Sequence, residues 1–523
     1  MSTPVPIVVT ELVRYFAARV PDNLCVTFGG DEKWTWADAE IETYRAANAL
    51  HGLGVRRGDR IGIMMPNSAD WLRAWWGLVS LGAVMVPINP ALRGTTLEHV
   101  VRDAELRRVI GPVELEPRFA EIGGLATVID SSVLATGSAD PVVLDPPPAP
   151  WDLHTINYTS GTTGPAKGVL TTYRHSFAAA LHNDWRATVD DVLLTTSPLF
   201  HCGGQVISMG AWIGGGCVAL RDSFRASKFL DVVRESGATM TLLVGTMAAV
   251  LDAMPEKPDD ADNPLRLVMA VPMVADSAAF ARRFGLSEMV AAFGMTEVGT
   301  GMTVRGPHID RPGTAGRVRP GAELRLVDEH DEEVPVGTPG ELVLRTDDPW
   351  EITYGYLNLH EATARAWRNG WFHTGDQFVM DADGYLYFSD RIKDSLRRRG
   401  ENISSFEVER EVAAYPAVEE VACVAASDGY GGDEVKVFVV PRAGEDLDPE
   451  ALIHFLVPRM PYHMVPRFVE VVDELPKTPT MKVRKAELRE RGNSPGTWDR
   501  EVAGILLTRE SAVVGEPAAR EPI

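Results

Sequence analysis

Short apolar runs alternate with amphipathic segments along most of the chain, and this alternation predicts its secondary structure. Asp59–Asn67 is predicted to form a buried strand, residues 68–82 a helix that ends at a glycine, and residues 83–89 the next strand. The same theme recurs near residues 239–246 and 288–294. Repeated strand, helix and strand favour a parallel sheet covered by helices.

The pattern changes in the second half of the chain. From about Val318, short strands with Gly and Pro turns predict a small β subdomain. We therefore expect an α/β fold: a large N-terminal domain (1–391) of parallel-sheet α/β subdomains plus the small β subdomain, followed by a small mobile α+β C-terminal domain (392–492). The weakly periodic residues 493–523 are expected to be a flexible tail.

Composition narrows the class of protein. The 523 residues are 45% hydrophobic with a formal net charge of −22, so a nucleic-acid binder, which needs a basic face, is disfavoured. The four cysteines form no CxxC pair and no zinc-spaced cluster, which favours a reduced, cytoplasmic protein. The N-terminus lacks the charged and apolar regions of a signal peptide.

One segment imitates a membrane span. Residues 192–220 carry no formally charged side chain, but they include Pro198, His201, Gln205 and six glycines. A spanning helix rarely contains so many breakers and polar groups. We predict that this segment is the wall of a buried pocket.

The segment from Thr159 to Lys167 is crowded with Gly, Ser and Thr and ends in a lysine. Backbone N–H groups in such a turn form a nest for anions, and hydroxyl groups add donors. The sequence therefore predicts a phosphate-binding loop. It is not a Walker A loop, because Gly168 follows the lysine where Ser or Thr is required. An ordinary Gly/Thr turn is the alternative.

Seven segments in chain order have the look of known motifs. They are YTSGTTGPAKGV (158–169), PLFHCGG (198–204), FGMTEVG (293–299), GELVLR (340–345), GWFHTGD (370–376), DRIKDSLRRRGENISSFEVE (390–409) and LPKTPTMKVRKAEL (475–488). Together they resemble the adenylate-forming superfamily of acyl-CoA synthetases, peptide-synthetase adenylation domains and luciferases. Among these, the closest in look are bacterial CoA ligases of the crotonobetaine/carnitine and medium-chain acyl type.

The resemblance implies a two-step ligase that uses ATP, Mg²⁺ and coenzyme A. A small-molecule carboxylic acid attacks the α-phosphate of ATP to give an acyl-adenylate and pyrophosphate, and the thiol of CoA then displaces AMP. No protein nucleophile is needed. Neither a nucleic-acid partner nor a membrane span is implied, and a homodimer is left open.

The resemblance also implies catalytic roles. Lys482 is the expected adenylation lysine, Thr296 contacts the α-phosphate, and Glu297 holds Mg²⁺ through oxygen. Lys393 occupies the hinge position about which the C-terminal domain rotates. Gly400 leaves room for a pantetheine tunnel.

A larger set of positions is implied to bind the nucleotide. They are Thr159, Ser160, Gly161, Thr162, Thr163, Gly164, Lys167, Phe293, Gly294, Asp376 and Arg391. Phe293 is expected to stack on adenine, although a core role is the alternative. Asp376 is expected to accept hydrogen bonds from the ribose hydroxyls and Arg391 to contact ribose and phosphate, although an Asp–Arg pair between domains is the alternative.

The expected acyl pocket is mostly apolar, which favours a hydrophobic or bulky acid. Its candidate residues are His201, Gly204, Gln205, Val271, Met273 and Met295. Val271 and Met273 stand where relatives usually have Gly or Ala, so they are expected to narrow the approach of the ligand. A satisfied core histidine is the alternative for His201.

Three other functions remain open at this stage. The protein could load a carrier protein in place of CoA, or thioesterify a preformed adenylate. A noncatalytic nucleotide-binding protein is a third alternative, disfavoured because the expected catalytic residues are present. The run Arg397–Arg399 either forms a solvated face or docks the phosphates of CoA.

Overall fold

The computed structural model of the protein describes residues 5–30, 32–159, 166–244, 247–271, 273–391, 395–398, 401–427, 433–476, 483 and 485–507. These residues form a large N-terminal domain of sheets and helices and a smaller C-terminal domain. The predicted α/β class is confirmed. The predicted strand, helix and strand at residues 59–89 are Arg60–Ile63, Ala69–Ser80 and Val84–Pro87.

The strands are numbered in chain order. They are β1 Leu24–Thr27, β2 Lys33–Thr35, β3 Arg60–Ile63, β4 Val84–Pro87, β5 Arg108–Gly111, β6 Thr127–Asp130, β7 Leu153–Thr159, β8 Lys167–Thr172, β9 Val192–Thr195, β10 Cys217–Leu220, β11 Met240–Val244, β12 Leu267–Val271, β13 Glu288–Met295, β14 Gly299–Gly306, β15 Thr314–Val318, β16 Ala322–Val327, β17 Gly340–Thr346, β18 Trp367–Arg368, β19 Trp371–Met380, β20 Leu386–Arg391, β21 Ser395–Arg398, β22 Glu401–Ser404, β23 Val418–Ser427, β24 Asp433–Pro441, β25 Phe468–Val471 and β26 Trp498–Asp499.

The α-helices are numbered in the same way. They are α1 Val9–Ala17, α2 Trp36–Gly52, α3 Ala69–Ser80, α4 Gly94–Asp103, α5 Glu116–Glu121, α6 Tyr173–Leu181, α7 Cys202–Ile213, α8 Phe229–Ser236, α9 Met247–Ala253, α10 Ser277–Arg283, α11 His360–Ala366, α12 Ser405–Ala413, α13 Pro449–Leu456 and α14 Lys485–Glu490.

Two sheets build the N-terminal domain. The first has the order β6-β5-β3-β4-β7-β8, and only its β7–β8 pair is antiparallel. The second is parallel from β1 through β10, β9, β11 and β12 to β13. Beyond β13 it continues as an antiparallel β region through β14, β15, β20, β19, β17 and β16. The predicted β subdomain is thus an extension of the second sheet.

Buried tryptophans join the two sheets. Helix α3 begins where the Ser68 hydroxyl accepts the Trp71 N–H, and it carries Trp75 and Trp76 into the core. Both rings lie within 6 Å of the ring of Trp212 in α7. The core they occupy contains residues from both sheets. Each buried aromatic side chain contributes roughly 2 kcal/mol or more to folding. Trp75, Trp76 and Trp212, here called the tryptophan seam, therefore fix the two sheets relative to each other.

The uncharged segment 192–220 forms β9, α7 and β10 in the second sheet. Helix α7 spans 12 residues and contributes Trp212 to the tryptophan seam. Within the described ranges, no helix has both the length and the apolar character needed to cross a membrane.

The C-terminal domain packs helices α12 and α13 against the sheet β23-β24-β25-β26. Strand β26 and the residues after it differ from the flexible tail expected from residue 493. Arg500 is only 1% exposed and donates to the carbonyl groups of Ile505 and Pro466. Buried Lys436 donates to Gly492 O and Thr497 Oγ1. These buried cations need oxygen partners, and residues 492–505 supply them. Residues 508–523 lie outside the described residues, and for them the flexible tail stays a prediction.

The arginine run also differs in part from expectation. The side chain of Arg398 is 4% exposed, and its Nε lies 2.7 Å from Glu434 Oε2. Its guanidinium group also donates to His463 O at 2.9 Å. Arg398 therefore serves the interior of the C-terminal domain and does not offer its charge to a ligand.

The packing of residues 494–507 leads to a test by truncation. We expect a chain ending at Asn493 to lose about 3 kcal/mol of C-terminal-domain stability, because it lacks β26 and buried Ile505. A chain ending at Leu507 is the matched control and should unfold like the full-length protein. Hydrogen exchange of C-terminal-domain peptides in increasing denaturant, followed by mass spectrometry, measures both. Equal stability of the two truncated chains would contradict this account.

Candidate active site

Lys167 is placed by a junction between distant parts of the chain. It begins β8, and its backbone pairs with that of Thr159 at the end of β7. Gly355–Leu357 runs along the other edge of β8, where Leu357 N donates to Gly168 O at 2.7 Å and Leu170 N donates to Gly355 O at 3.0 Å. This backbone pairing brings a tyrosine of the second half of the chain beside Lys167.

That tyrosine, Tyr356, connects Lys167 with Glu297. The Lys167 Nζ lies 4.9 Å from the centre of the Tyr356 ring, and the Tyr356 hydroxyl donates to Glu297 Oε1 at 3.1 Å. Burial and the adjacent Glu297 carboxylate hold the pKa of Tyr356 far above its usual range, so the hydroxyl remains a donor. The backbone carbonyl of Glu297 accepts from Thr353 N at 2.7 Å. Segment 353–357 therefore orients both the backbone and the carboxylate of Glu297.

Thr296 faces the start of α7. Its Oγ1 lies 3.1 Å from the Sγ of Cys202, and the His201 Nδ1 lies 3.9 Å from the same sulfur. Burial raises the pKa of the Cys202 thiol, but the neighbouring His201 and Thr296 outweigh burial and lower it below its ordinary value. His201 is exposed and caps α7 by accepting the Gly203 N–H, so it is not a buried core histidine.

Phe293 and Met295 connect β13 with β19. The Phe293 ring meets Phe378 edge to face, with ring centres 4.9 Å apart. Phe293 remains half-buried, and the strand pairing shifts register between it and exposed Gly294. A side chain at Gly294 would place its Cβ 2.5 Å from Gly299 O, so this irregular turn requires glycine. Half-buried Met295 packs with the core around Phe372.

Asp376 lies in β19, two residues before Phe378, and is 5% exposed. Its backbone is directly opposite that of Arg391 in β20. Its N–H donates to the Thr374 hydroxyl at 3.1 Å. The same strand thus places Asp376 close in sequence to the aromatic contact of Phe293.

Two pocket candidates have structural tasks in α7. Gln205 is 3% exposed, and its amide donates to Leu199 O at 2.9 Å. A Cβ on Gly204 would lie 2.4 Å from Pro198 O, so the helix can approach that loop only with glycine. These contacts explain both residues without a ligand.

Val271 ends β12 and Met273 follows it, and the two side chains differ in environment. Val271 is half-buried at the edge of the core that contains the tryptophan seam. Met273 is 9% exposed and packs in the neighbouring core with Phe280 and Met289. The large side chain of Met273 is therefore accounted for by packing, and only Val271 keeps the partial exposure that a pocket wall needs.

Several predicted residues lie outside the described residues. They are Ser160, Gly161, Thr162, Thr163, Gly164, Lys393, Gly400 and Lys482. Among the described residues, no three His, Cys, Asp or Glu side chains are grouped to hold a metal ion. Glu297, the expected Mg²⁺ ligand, belongs to no such group among them.

Tyr356 and Cys202 were missed by the sequence analysis. Tyr356 reaches Glu297 across 59 positions, and Cys202 reaches Thr296 across 94. Only the motifs themselves gave a signal: Cys202 lies within PLFHCGG, and no quoted motif contains Tyr356.

Solved structures of related enzymes share this fold. A mutant o-succinylbenzoate CoA synthetase of Bacillus subtilis, bound to a product analogue, matches with a TM-score of 0.83 at 24% identity, covering 93% of this chain and 99% of that one. The same synthetase in complex with AMP matches with a TM-score of 0.66, covering 91% and 98%. A fatty acyl CoA synthetase of Mycobacterium tuberculosis has a TM-score of 0.67 at 27% identity, covering 93% and 98%.

Sequence comparison gives the same result. Crotonobetaine/carnitine–CoA ligase of Salmonella paratyphi A is 30% identical over 487 residues, which is 87% of this chain and 93% of that protein. The AMP-binding enzyme model matches residues 13–357, and the model of the AMP-binding enzyme C-terminal domain matches residues 407–482. The chain therefore belongs to the AMP-binding enzyme family.

Proposed function

We propose that the protein is a carboxylic acid–CoA ligase that works through an acyl-adenylate. The observation that carries this proposal is the Lys167–Tyr356–Glu297 arrangement at the end of the predicted phosphate loop, in a chain similar over most of its length to CoA ligases. A cation and a fixed carboxylate placed together suit the phosphates of a nucleotide and their metal ion.

Charge stabilisation is the main task of these residues in the first step. Lys167 would neutralise phosphate oxygens, and the Thr296 hydroxyl would donate to the α-phosphate as the acid attacks it. Glu297 offers an oxygen ligand of the kind Mg²⁺ prefers, with phosphates and water completing the set. When bound, Mg²⁺ would neutralise charge on the phosphates. The hydrogen bond from the Tyr356 hydroxyl holds one oxygen of the Glu297 carboxylate and so orients the other oxygen.

Adenosine would be held between β13 and β19. The Phe293 ring meets Phe378 edge to face, and its remaining exposed surface is available for stacking on adenine. Asp376 would accept hydrogen bonds from the ribose hydroxyls, and Arg391 would contact the ribose and phosphate. The backbone of Arg391 lies directly opposite that of Asp376 across β19 and β20, which supports assigning both residues to the ribose.

The second step needs a different position of the C-terminal domain. The TM-score falls from 0.83 for the product-analogue complex of the Bacillus synthetase to 0.66 for its AMP complex. This difference supports assigning the present arrangement to thioester formation, with Lys393 as the hinge and Lys482 presented in the adenylation arrangement. Gly400 would leave room for the pantetheine arm.

The acid is proposed to be hydrophobic or bulky, because half-buried Val271 and Met295 supply apolar surface and exposed His201 caps the helix beside them. Free thiols at Cys25, Cys202, Cys217 and Cys423 support a reducing, cytoplasmic setting.

The proposal is tested by ATP–pyrophosphate exchange with Mg²⁺ and a panel of carboxylic acids. We expect exchange with apolar acids, and thioester formation once CoA is added. Exchange without CoA acylation, but with acylation of a carrier protein, would favour the carrier-loading alternative. Thioester formation only from supplied acyl-adenylate would favour the half-enzyme alternative.

Lys482→Ala is expected to abolish pyrophosphate exchange, because it removes the proposed charge at the reacting α-phosphate. Thioester formation from supplied acyl-adenylate should remain, since that step does not use this lysine. Lys228→Ala, which changes an exposed lysine, is the control and should leave both rates unchanged. Unchanged exchange in Lys482→Ala would disprove the assignment.

Tyr356→Phe is expected to slow pyrophosphate exchange about tenfold to a hundredfold, because a hydrogen bond to a charged group contributes roughly 1.5–3 kcal/mol. Tyr387→Phe is a matched control, since the Tyr387 hydroxyl donates to the Asp381 carboxylate at the same 3.1 Å, away from the site. Similar exchange rates for the two variants would mean that Tyr356 does not orient Glu297.

A further inference from the structure

Helices α4 and α12 meet where the two domains touch. Thr95 and His99 lie one turn apart on α4, and Glu407 and Glu411 lie one turn apart on α12. The Thr95 hydroxyl donates to Glu411 Oε1 at 2.6 Å. The contact joins residues 316 positions apart and connects the N-terminal domain to the C-terminal domain.

The second contact involves Ala166, the residue directly before Lys167. The Ala166 carbonyl lies 2.8 Å from His99 Nε2, and its N–H donates to the carboxyl group of Glu407. Ala166 is therefore held between the two helices by both of its backbone groups. Through this peptide unit, α12 reaches the chain that leads into Lys167.

The carboxylate of Glu411 is paired with two arginines of its own domain. Its side chain is 2% exposed, with Arg410 Nη2 3.2 Å from Oε1 and Arg459 Nη2 3.1 Å from Oε2. Both arginines lie in the C-terminal domain, so the charge of Glu411 stays compensated in any domain position. Among the described contacts of Glu411, the hydrogen bond from Thr95 is the one that depends on the arrangement of the domains.

The buried carboxyl group of Glu407 makes the domain contact sensitive to negative charge bound near Lys167. Burial raises the pKa of Glu407 to about 7, against the opposing effects of Arg410 and the Ala166 N–H. A phosphate group bound near Lys167 would bring further negative charge towards this carboxyl group. The contact is therefore most favourable once pyrophosphate has left.

We propose that Glu411 and Glu407 are positioning residues that dock the C-terminal domain on Thr95 and Ala166 and hold the enzyme in the arrangement for thioester formation. This proposal rests on the proposed CoA-ligase function. The two carboxyl groups do not touch the reacting atoms. They act by setting the fraction of molecules in which the C-terminal domain is positioned for the second step.

The decisive variant is Thr95→Val, which removes the hydroxyl and leaves every C-terminal-domain ion pair intact. With the best acid from the panel, thioester formation from its acyl-adenylate and CoA should slow about tenfold, as expected for a lost hydrogen bond to a charged group. Pyrophosphate exchange should be unchanged. Thr95→Ser should restore the thioester rate, and Thr127→Val, on an exposed strand position, should leave both rates unchanged.

Glu411→Gln should show the same selective loss of thioester formation. Thr95→Val tests the same contact without changing the C-terminal domain, so the proposal does not depend on the folding of Glu411→Gln. Equal slowing of both half-reactions in Thr95→Val would indicate a merely structural residue and would overturn the proposal. So would unchanged rates in both half-reactions.

Small-angle X-ray scattering separates this proposal from the proposed function. The ligand-free full-length protein should fit the present domain arrangement, and Thr95→Val should depart from it. Identical scattering of the two proteins would overturn the docking role even if ligase activity is present. Failure of every acid to support exchange or thioester formation would count against the proposed function alone, because the scattering result does not depend on it.

Discussion

The pairing of Gly355–Leu357 with the edge of β8 is the constraint on which the site depends. Without it, Lys167 would stand at the edge of one sheet, separate from Glu297 in the turn between β13 and β14 of the other sheet. The two backbone hydrogen bonds that form the β-bridge between Val169 and Tyr356 fix the separation of these groups. Backbone hydrogen bonds are insensitive to side-chain identity, so the backbone positions of Lys167 and Tyr356 are set by strand pairing, and the Tyr356 hydroxyl then orients the Glu297 carboxylate.

The tryptophan seam supplies the stiffness that this pairing needs. Trp75 also donates its Nε1–H to His154 Nε2 at 2.9 Å, and burial lowers the pKa of His154 to about 3. The imidazole is thus neutral and acts as an acceptor within the core. A rigid joint between the sheets would let the smaller domain take its proposed positions while the proposed nucleotide site keeps its shape.

The contact between the domains combines ion pairs within the C-terminal domain with hydrogen bonds that join the two domains. Arg410 and Arg459 compensate Glu411 at all times, whereas the Thr95 hydroxyl and the Ala166 N–H are met only in one arrangement. A weak conditional contact suits an enzyme with two steps, because a docking free energy of many kcal/mol would trap the domain in one of them. The proximity of Ala166 to Lys167 gives the nucleotide site a direct influence on this contact.

The sequence by itself determined the α/β class, the order of the domains and the family, because periodicity and contiguous motifs are local properties of the chain. It also named Glu297, Thr296 and Asp376 through those motifs. The tertiary structure alone decided that Tyr356 orients Glu297, that Met273 and Arg398 face inward, and that residues 494–507 complete a domain. Each of these depends on contacts between positions far apart in the chain, and no local pattern of residues records which distant group a side chain will meet.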